Sequence, residues 1–75
     1  MHKERVWLRE IRESRNLTQE KIASNLGITR QHIGLIENGN ATPSVETAKK
    51  IANVLGFNWT RFFEDDSTDE NVQTN

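Results

Sequence analysis

The side chains that most often carry out catalysis or hold metals are scarce in this sequence. It contains no cysteine, and its two histidines, His2 and His32, cannot form a metal site alone. No serine or carboxylate is placed with a histidine in a pocket-forming pattern, and no glycine-rich loop of the phosphate-binding kind is present. The sequence therefore predicts a protein that is not an enzyme and that needs no metal or cofactor.

A different chemistry is available in residues 17–39, LTQEKIASNLGITRQHIGLIENG. This segment divides into two helical stretches of about nine residues joined by a tight connection, which is helix-turn-helix geometry. Gly27 allows a positive φ at the turn, while Ile28 and Ile33 can fill the angle between the helices. The remaining side chains of the second helix are left free to face outward.

The turn-forming residues predict five short helices and no strand. The first helix runs from about Glu4 to Arg15, and the last is a short turn from Trp59 to Phe63. The other helices end near Leu26, Glu37 and Leu55, and the residues suited to cap the N-termini are Thr18, Thr29, Ser44 and Asn58. Helical spacing places these apolar residues inward: Leu8, Ile11, Ile22, Ala23, Leu26, Ile33, Ile36, Val45, Ala48, Ile51, Ala52 and Leu55.

Charge is segregated along the chain. Residues 64–75 hold five of the eleven acids and a single apolar residue, so we expect a disordered acidic tail. Residues 1–63 hold all ten bases against six acids, a net charge of +4, which suits a nucleic-acid-binding module. The tail is either a solubilising extension or a segment that shadows the basic face and weakens non-specific binding.

Membrane insertion and secretion are not expected. The longest apolar run is Val6-Trp7-Leu8, which is too short for a membrane span or for the apolar region of a signal peptide. The sequence therefore predicts a cytoplasmic protein.

At the level of motifs the sequence resembles the Cro and phage-repressor class of helix-turn-helix domains, also called the xenobiotic-response-element family of bacterial and phage regulators. The resemblance covers residues 5–63 and rests on LTQEKIA, LGITRQHIGLIENG, TPSVETAKKIANVLG and WTRFF. It implies a compact all-α, five-helix bundle of the lambda-repressor-like type. The DNA-binding domain then spans 1–63, with the helix-turn-helix at about 18–37, and the tail spans 64–75.

The resemblance also implies DNA-contacting residues, because the third helix of the family, here about 29–37, lies in the major groove. Toward base edges it places Thr29, Arg30, Gln31 and Leu35. It places Thr18, Gln19, Asn38 and Asn40 near phosphates, and we expect His32 to be either a surface residue or a further phosphate contact. Leu35 either contacts the groove or packs at the edge of the bundle, and Gln19 either meets a phosphate or braces Arg30 or Gln31.

Two further features come from the resemblance. Arg12 and Glu37 match positions that form an ion pair between the first helix and the end of the third in many relatives. The loop after the third helix, GNATPS, lacks the base that many relatives carry, which predicts a shallow salt dependence of DNA binding. Whether the bases near the first helix face DNA is left open: Lys3, Arg5, Arg9 and Arg15.

The aromatic residues near the C-terminal end of the domain exceed what one small core needs. Relatives without a separate oligomerisation domain often dimerise through their final helices, so we expect a two-fold interface here. Its expected members are Val54, Phe57, Trp59 and Phe62, with Trp59 and Phe62 exposed.

Together these features predict a sequence-specific DNA-binding transcriptional regulator, acting as a dimeric repressor on an operator in double-stranded DNA. One alternative is a controller of a restriction-modification operon. Another is an antitoxin or partner-binding module whose DNA binding serves autoregulation, which would add a regulatory protein partner.

Overall fold

The computed structural model describes residues 3–64, and every regular element in that range is a helix. The helices are α1 (Val6–Ser14), α2 (Gln19–Leu26), α3 (Arg30–Glu37) and α4 (Val45–Leu55), followed by a short α5 over residues 61–64. The predicted all-α class with five helices is confirmed. The longest helix has 11 residues, and none between residues 3 and 64 is long and apolar enough to cross a membrane.

The chain divides into two compact units at Thr42 and Pro43. In the first unit the buried aliphatic side chains come from α1, α2 and α3, and they are Leu8, Ile22, Ala23, Ile33 and Ile36. Ile11 and Leu26, which were also expected to face inward, are half-buried. Full burial of a large aliphatic side chain contributes about 1.5–3 kcal/mol, so these few residues account for much of the stability of this unit.

Three helices begin at the hydroxyl caps that the sequence predicts. Thr18, Thr29 and Ser44 each accept a hydrogen bond from the backbone N–H three residues on, at 3.0, 3.0 and 3.1 Å. Each such cap contributes about 1 kcal/mol because it satisfies an N–H that has no partner within the helix.

The start of α1 differs from the prediction because Arg5 is held out of the helix. Its backbone N–H donates to the carbonyl oxygen of Glu37 at 2.7 Å, and its φ of −93° and ψ of 72° are not helical. Its guanidinium donates to the carbonyl oxygens of Ile36 at 2.7 Å and Ala41 at 3.1 Å. Since Arg5 is only 3% exposed, the possibility that it faces DNA is wrong.

In the second unit α4 buries the predicted stripe except at its first residue. Buried residues of the stripe are Ala48, Ile51, Ala52 and Leu55, whereas Val45 remains 48% exposed. The prediction that Val45 faces the core is therefore wrong. As the first residue of α4 it points toward the helix N-terminus and beyond the end of the buried stripe.

The last helix begins after an asparagine cap. Asn58 Oδ1 accepts hydrogen bonds from the N–H and the hydroxyl of Thr60 at 3.0 and 2.8 Å. α5 includes Glu64, whose N–H donates to the carbonyl oxygen of Thr60 at 2.9 Å, so the helix passes the expected boundary at Phe63 by one residue. The rest of the predicted acidic tail lies outside the described residues.

Candidate nucleic-acid interface

A three-residue turn, Gly27 to Thr29, joins α2 to α3. Gly27 has a φ of +73°, in the left-handed region that a side chain disfavours. The N–H groups of Gly27 and Ile28 donate to the carbonyl oxygens of Ser24 at 3.4 Å and Ala23 at 3.0 Å, which closes the end of α2. Thr29 then caps α3, and the predicted helix-turn-helix is confirmed.

The α3 helix has two chemically different faces. Ile33, Ile36 and Glu37 are buried, whereas Thr29, Arg30 and Gln31 are exposed and consecutive. Leu35 lies four residues after Gln31 and is 37% exposed, so it extends the exposed row along the helix. Half-buried His32 lies beside this row. We call Thr29, Arg30, Gln31 and Leu35 the α3 outer face.

Behind α3, a buried ion pair connects it to α1. Arg12 Nε donates to Glu37 Oε2 at 2.5 Å and Arg12 Nη2 to Glu37 Oε1 at 3.3 Å, while Arg12 Nη1 donates to the carbonyl oxygen of Leu17 at 2.7 Å. This is the pair that the family resemblance implies. Both residues are buried, so the pair holds the inner side of α3 rather than contacting a ligand.

Gln19 joins the same network from the first residue of α2. Its Nε2 donates to Glu37 Oε1 at 3.0 Å, and its amide lies next to Gly34, where an added Cβ would be 3.7 Å from Gln19 Oε1. The side chain therefore braces Glu37 and not Arg30 or Gln31, so that alternative is wrong for the described structure. The amide fixes the start of α2 against α3.

The N-terminus of α2 keeps its capacity to bind an anion. The first backbone N–H groups of a helix have no partner within it and carry the positive end of the helix dipole. Thr18 is exposed and half-buried Gln19 follows it. The backbone N–H of Gln19, the first residue of α2, can therefore donate a hydrogen bond to a phosphate oxygen.

The loop over residues 38–42 carries the two expected asparagines in a defined shape. Asn38 Oδ1 accepts a hydrogen bond from the N–H of Asn40 at 3.0 Å. The N–H groups of Asn40 and Ala41 both donate to the carbonyl oxygen of Leu35, at 2.9 and 3.1 Å. Both asparagines are exposed, so their side chains can reach a ligand from a fixed backbone.

Basic charge at the surface of the first unit is limited. Two of the seven lysines and arginines between residues 3 and 42, Arg5 and Arg12, are buried. Arg9 pairs with Glu4 at 3.1 Å on the surface. The outer surface is therefore less basic than the count of lysines and arginines in the sequence suggests. Between residues 3 and 64, no three His, Asp or Glu side chains come together as metal ligands would.

Comparison with known proteins agrees with this geometry, since a family model described as helix-turn-helix matches residues 8–62. The chain belongs to the helix-turn-helix family. Members of this family are DNA-binding transcriptional regulators and not enzymes, so the chain is a DNA-binding regulator without catalytic activity. No solved structure matches it.

Several helix-turn-helix proteins are similar over most of the chain. An uncharacterized HTH-type transcriptional regulator of Bacillus subtilis, YqaF, is 48% identical over 61 residues, which cover 81% of this chain and 80% of the relative. A regulator of Methanothermobacter thermautotrophicus is 44% identical over 52 residues, 69% of this chain and 75% of that protein. PuuR of Escherichia coli is 34% identical over 58 residues, 77% of this chain but 31% of PuuR.

The expected dimer segment of this helix-turn-helix protein lies in the second unit. Val54, Phe57 and Trp59 are half-buried. Phe62 is 0% exposed and meets Phe57 edge to face, with ring centroids 5.5 Å apart. The expectation that Phe62 is exposed is therefore wrong, because its ring is used within the chain and cannot reach a second copy.

Trp59 has partners of its own and still keeps an accessible part. Its ring meets that of Phe63 edge to face at 5.9 Å, and the Lys49 ammonium lies 5.1 Å from its centroid. This cation–π contact leaves an aromatic surface with a positive charge on one side.

Sequence reasoning missed two features of this interface. One is the buried Arg5, which before an amphipathic helix has the sequence pattern of an exposed base. The other is the bond from Gln19 to Glu37, which joins residues 18 positions apart. Neither has a local signal, because both depend on where the end of α3 lies in space.

Proposed function

We propose that this regulator is a dimeric, sequence-specific repressor that contacts operator base edges with the α3 outer face. The observation that carries the proposal is the division of α3 into the exposed outer face and an inner side fixed by Ile33, Ile36 and the Arg12–Glu37 pair. A helix held from behind in this way presents its outer side chains with little freedom, which is what base discrimination requires.

The chemistry of the outer face matches the donors and acceptors of the major groove. Arg30 suits a bidentate contact to guanine, and Gln31 suits one to adenine. The methyl of Thr29 and the side chain of Leu35 suit the methyl group of thymine. Each good bidentate pair contributes about 1–3 kcal/mol of discrimination against the wrong base.

Phosphate contacts come from both ends of the helix-turn-helix. At the start of α2 we assign Thr18 and the backbone N–H of Gln19, and beside the outer face we assign His32. After α3 we assign the exposed side chains of Asn38 and Asn40. Thr18, Gln19, Asn38 and Asn40 offer only uncharged groups, so these contacts set register and orientation while releasing few counterions.

Dimerisation is assigned to Val54, Phe57 and Trp59, the three expected members that retain exposure. A two-fold dimer binds two half-sites about 10 to 10.5 base pairs apart, centre to centre. A dimer bound across a promoter excludes the polymerase from it, and repression follows.

Selection from a library of random duplexes tests this proposal without assuming an operator sequence. The full chain is cycled with the library, and the bound duplexes are sequenced. We expect enrichment of an inverted repeat with half-sites about one helical turn apart. The double variant Arg30→Ala with Gln31→Ala is selected in parallel and should lose that enrichment. Lys50→Ala, which removes one positive charge from the exposed face of α4, should keep it.

The contrary outcomes are distinct. A lack of any enriched sequence with the unmodified chain contradicts base recognition and favours the partner-binding module. Enrichment of a single half-site without a repeat contradicts the dimer. Identical enrichment by the double variant contradicts the assignment of Arg30 and Gln31.

A further inference from the structure

We propose that Arg5 is a positioning residue for DNA binding, which acts by fixing the loop over residues 38–42 against the end of α3. This inference rests on the proposed function, in which Asn38 and Asn40 of that loop contact phosphates. It adds to that function a residue that is buried and does not itself touch DNA.

Arg5 joins two parts of the chain through one nitrogen. Its Nη1 donates to the carbonyl oxygen of Ile36 in the last turn of α3 and to that of Ala41 in the loop, at 2.7 and 3.1 Å. Its backbone N–H donates to the carbonyl oxygen of Glu37 at 2.7 Å. The last carbonyls of a helix lack partners within it and carry its negative end, so a buried guanidinium there is favoured.

The backbone of the loop also lies close to the residues just before α1. Gly39 has a φ of +86°, and a Cβ added to it would overlap the backbone carbonyl of Lys3. Residues 3–5 therefore lie along the loop at backbone contact. A side chain at position 39 would push the loop away from residues 3–5. This close approach is a second and independent sign that residues 3–5 shape the loop.

The loop is in turn tied to the DNA-facing part of α3. The N–H groups of Asn40 and Ala41 both donate to the carbonyl oxygen of Leu35, whose side chain belongs to the α3 outer face. The same residue Ala41 accepts a hydrogen bond from the Arg5 guanidinium at its own carbonyl oxygen. The exposed asparagines are thus kept in one position relative to Leu35, and loss of Arg5 should release them.

A double-mutant cycle separates this role from a general structural one. Affinity for the duplex obtained by selection is measured for the unmodified chain, Arg5→Met, Asn40→Ala and the combination, at a temperature where circular dichroism shows each protein folded. Asn40→Ala removes only an exposed side chain, whereas Asn38 also shapes the loop through its Oδ1. Arg9→Met, alone and with Asn40→Ala, is the matched control, since it removes the same charge from the surface of α1.

We expect Asn40→Ala to lower affinity about 3- to 10-fold in the unmodified chain, the usual effect of one lost hydrogen bond. In the Arg5→Met background the same change should lower it less than about 2-fold, because the loop is already displaced. In the Arg9→Met background the full loss should remain. Should Arg5→Met fail to fold, Arg5→Lys takes its place in the cycle, since the ammonium keeps the buried charge but not the guanidinium reach.

Equal losses from Asn40→Ala in the Arg5 and Arg9 backgrounds would overturn the role of Arg5. An unmodified chain that binds the duplex while Asn40→Ala has no effect would overturn it as well, because the loop then makes no contact. Failure of base recognition, on which the proposed function rests, looks different, since no duplex is then selected at all.

Discussion

At the scale of single residues, Glu37 connects three helices of the first unit. Its carboxylate accepts hydrogen bonds from Arg12 and Gln19, and so links α1 and α2 to the end of α3. Glu37→Ala leaves the Arg12 guanidinium buried without its countercharge. We therefore expect a loss of about 3–5 kcal/mol in the free energy of unfolding, measured by urea denaturation followed by circular dichroism.

The exposed pair in α4 provides the control for that measurement. Glu46 and Lys50 lie four residues apart with 3.8 Å between Oε2 and Nζ, and their side chains are 82% and 53% exposed. Glu46→Ala should change the free energy of unfolding by less than about 1 kcal/mol, because water screens the pair. Similar losses in the two variants would mean that the Glu37 network is not the brace described above.

At the scale of elements, two glycines of the helix-turn-helix should respond differently to substitution by alanine in the free energy of unfolding. Gly27 has a φ of +73° with open space around it, so Gly27→Ala should cost about 1–2 kcal/mol through backbone strain alone. Gly34 lies within α3, where an added Cβ would make an ordinary contact of 3.7 Å with Gln19. Gly34→Ala should be neutral or stabilise by up to about 1 kcal/mol through helix propensity. Thermal unfolding of both variants measures this, and a destabilising Gly34→Ala would contradict the packing of Gln19 against α3.

Most helix ends could be predicted from the sequence, because they depend on local chemistry. Thr18, Thr29 and Ser44 are caps whose partners lie three residues away, and Gly27 adopts a φ that few other residues tolerate. The start of α1 could not be predicted, because Arg5 meets carbonyls more than 30 residues along the chain. Spacing gave the buried face of α4 but not the exposure of Val45, because spacing does not say where the core ends.

At the scale of the whole molecule, the proposed dimer rests on the half-buried Val54, Phe57 and Trp59. We expect sedimentation equilibrium to show a dimer at high micromolar concentration in the absence of DNA, since an accessible aromatic surface favours self-association. Trp59→Ala should shift that equilibrium toward the monomer by removing the largest accessible side chain of the segment.

The matched control for the dimer is Val45→Ala, which trims an exposed apolar side chain of α4 outside the proposed interface. It should leave the association constant unchanged. An unmodified chain that sediments as a monomer throughout the high micromolar range would contradict the dimer, and an equal weakening by Val45→Ala would contradict the location of its interface.

The central claim is that α3 recognises bases, and fluorescence anisotropy tests it most directly. The selected duplex and a random duplex are titrated at several salt concentrations with the unmodified chain, with Arg30→Ala plus Gln31→Ala, and with Lys50→Ala. We predict that the unmodified chain prefers the selected duplex and that this preference falls at least 10-fold in the double variant, because each lost base contact contributes about 1–3 kcal/mol. The preference should persist in Lys50→Ala. We also predict a shallow slope of log affinity against log salt, since each neutralised phosphate adds only about 0.9 to it. A preference that survives in the double variant would contradict recognition by α3. An equal fall of the preference in Lys50→Ala would contradict it as well, because the loss of charge alone would then explain the effect.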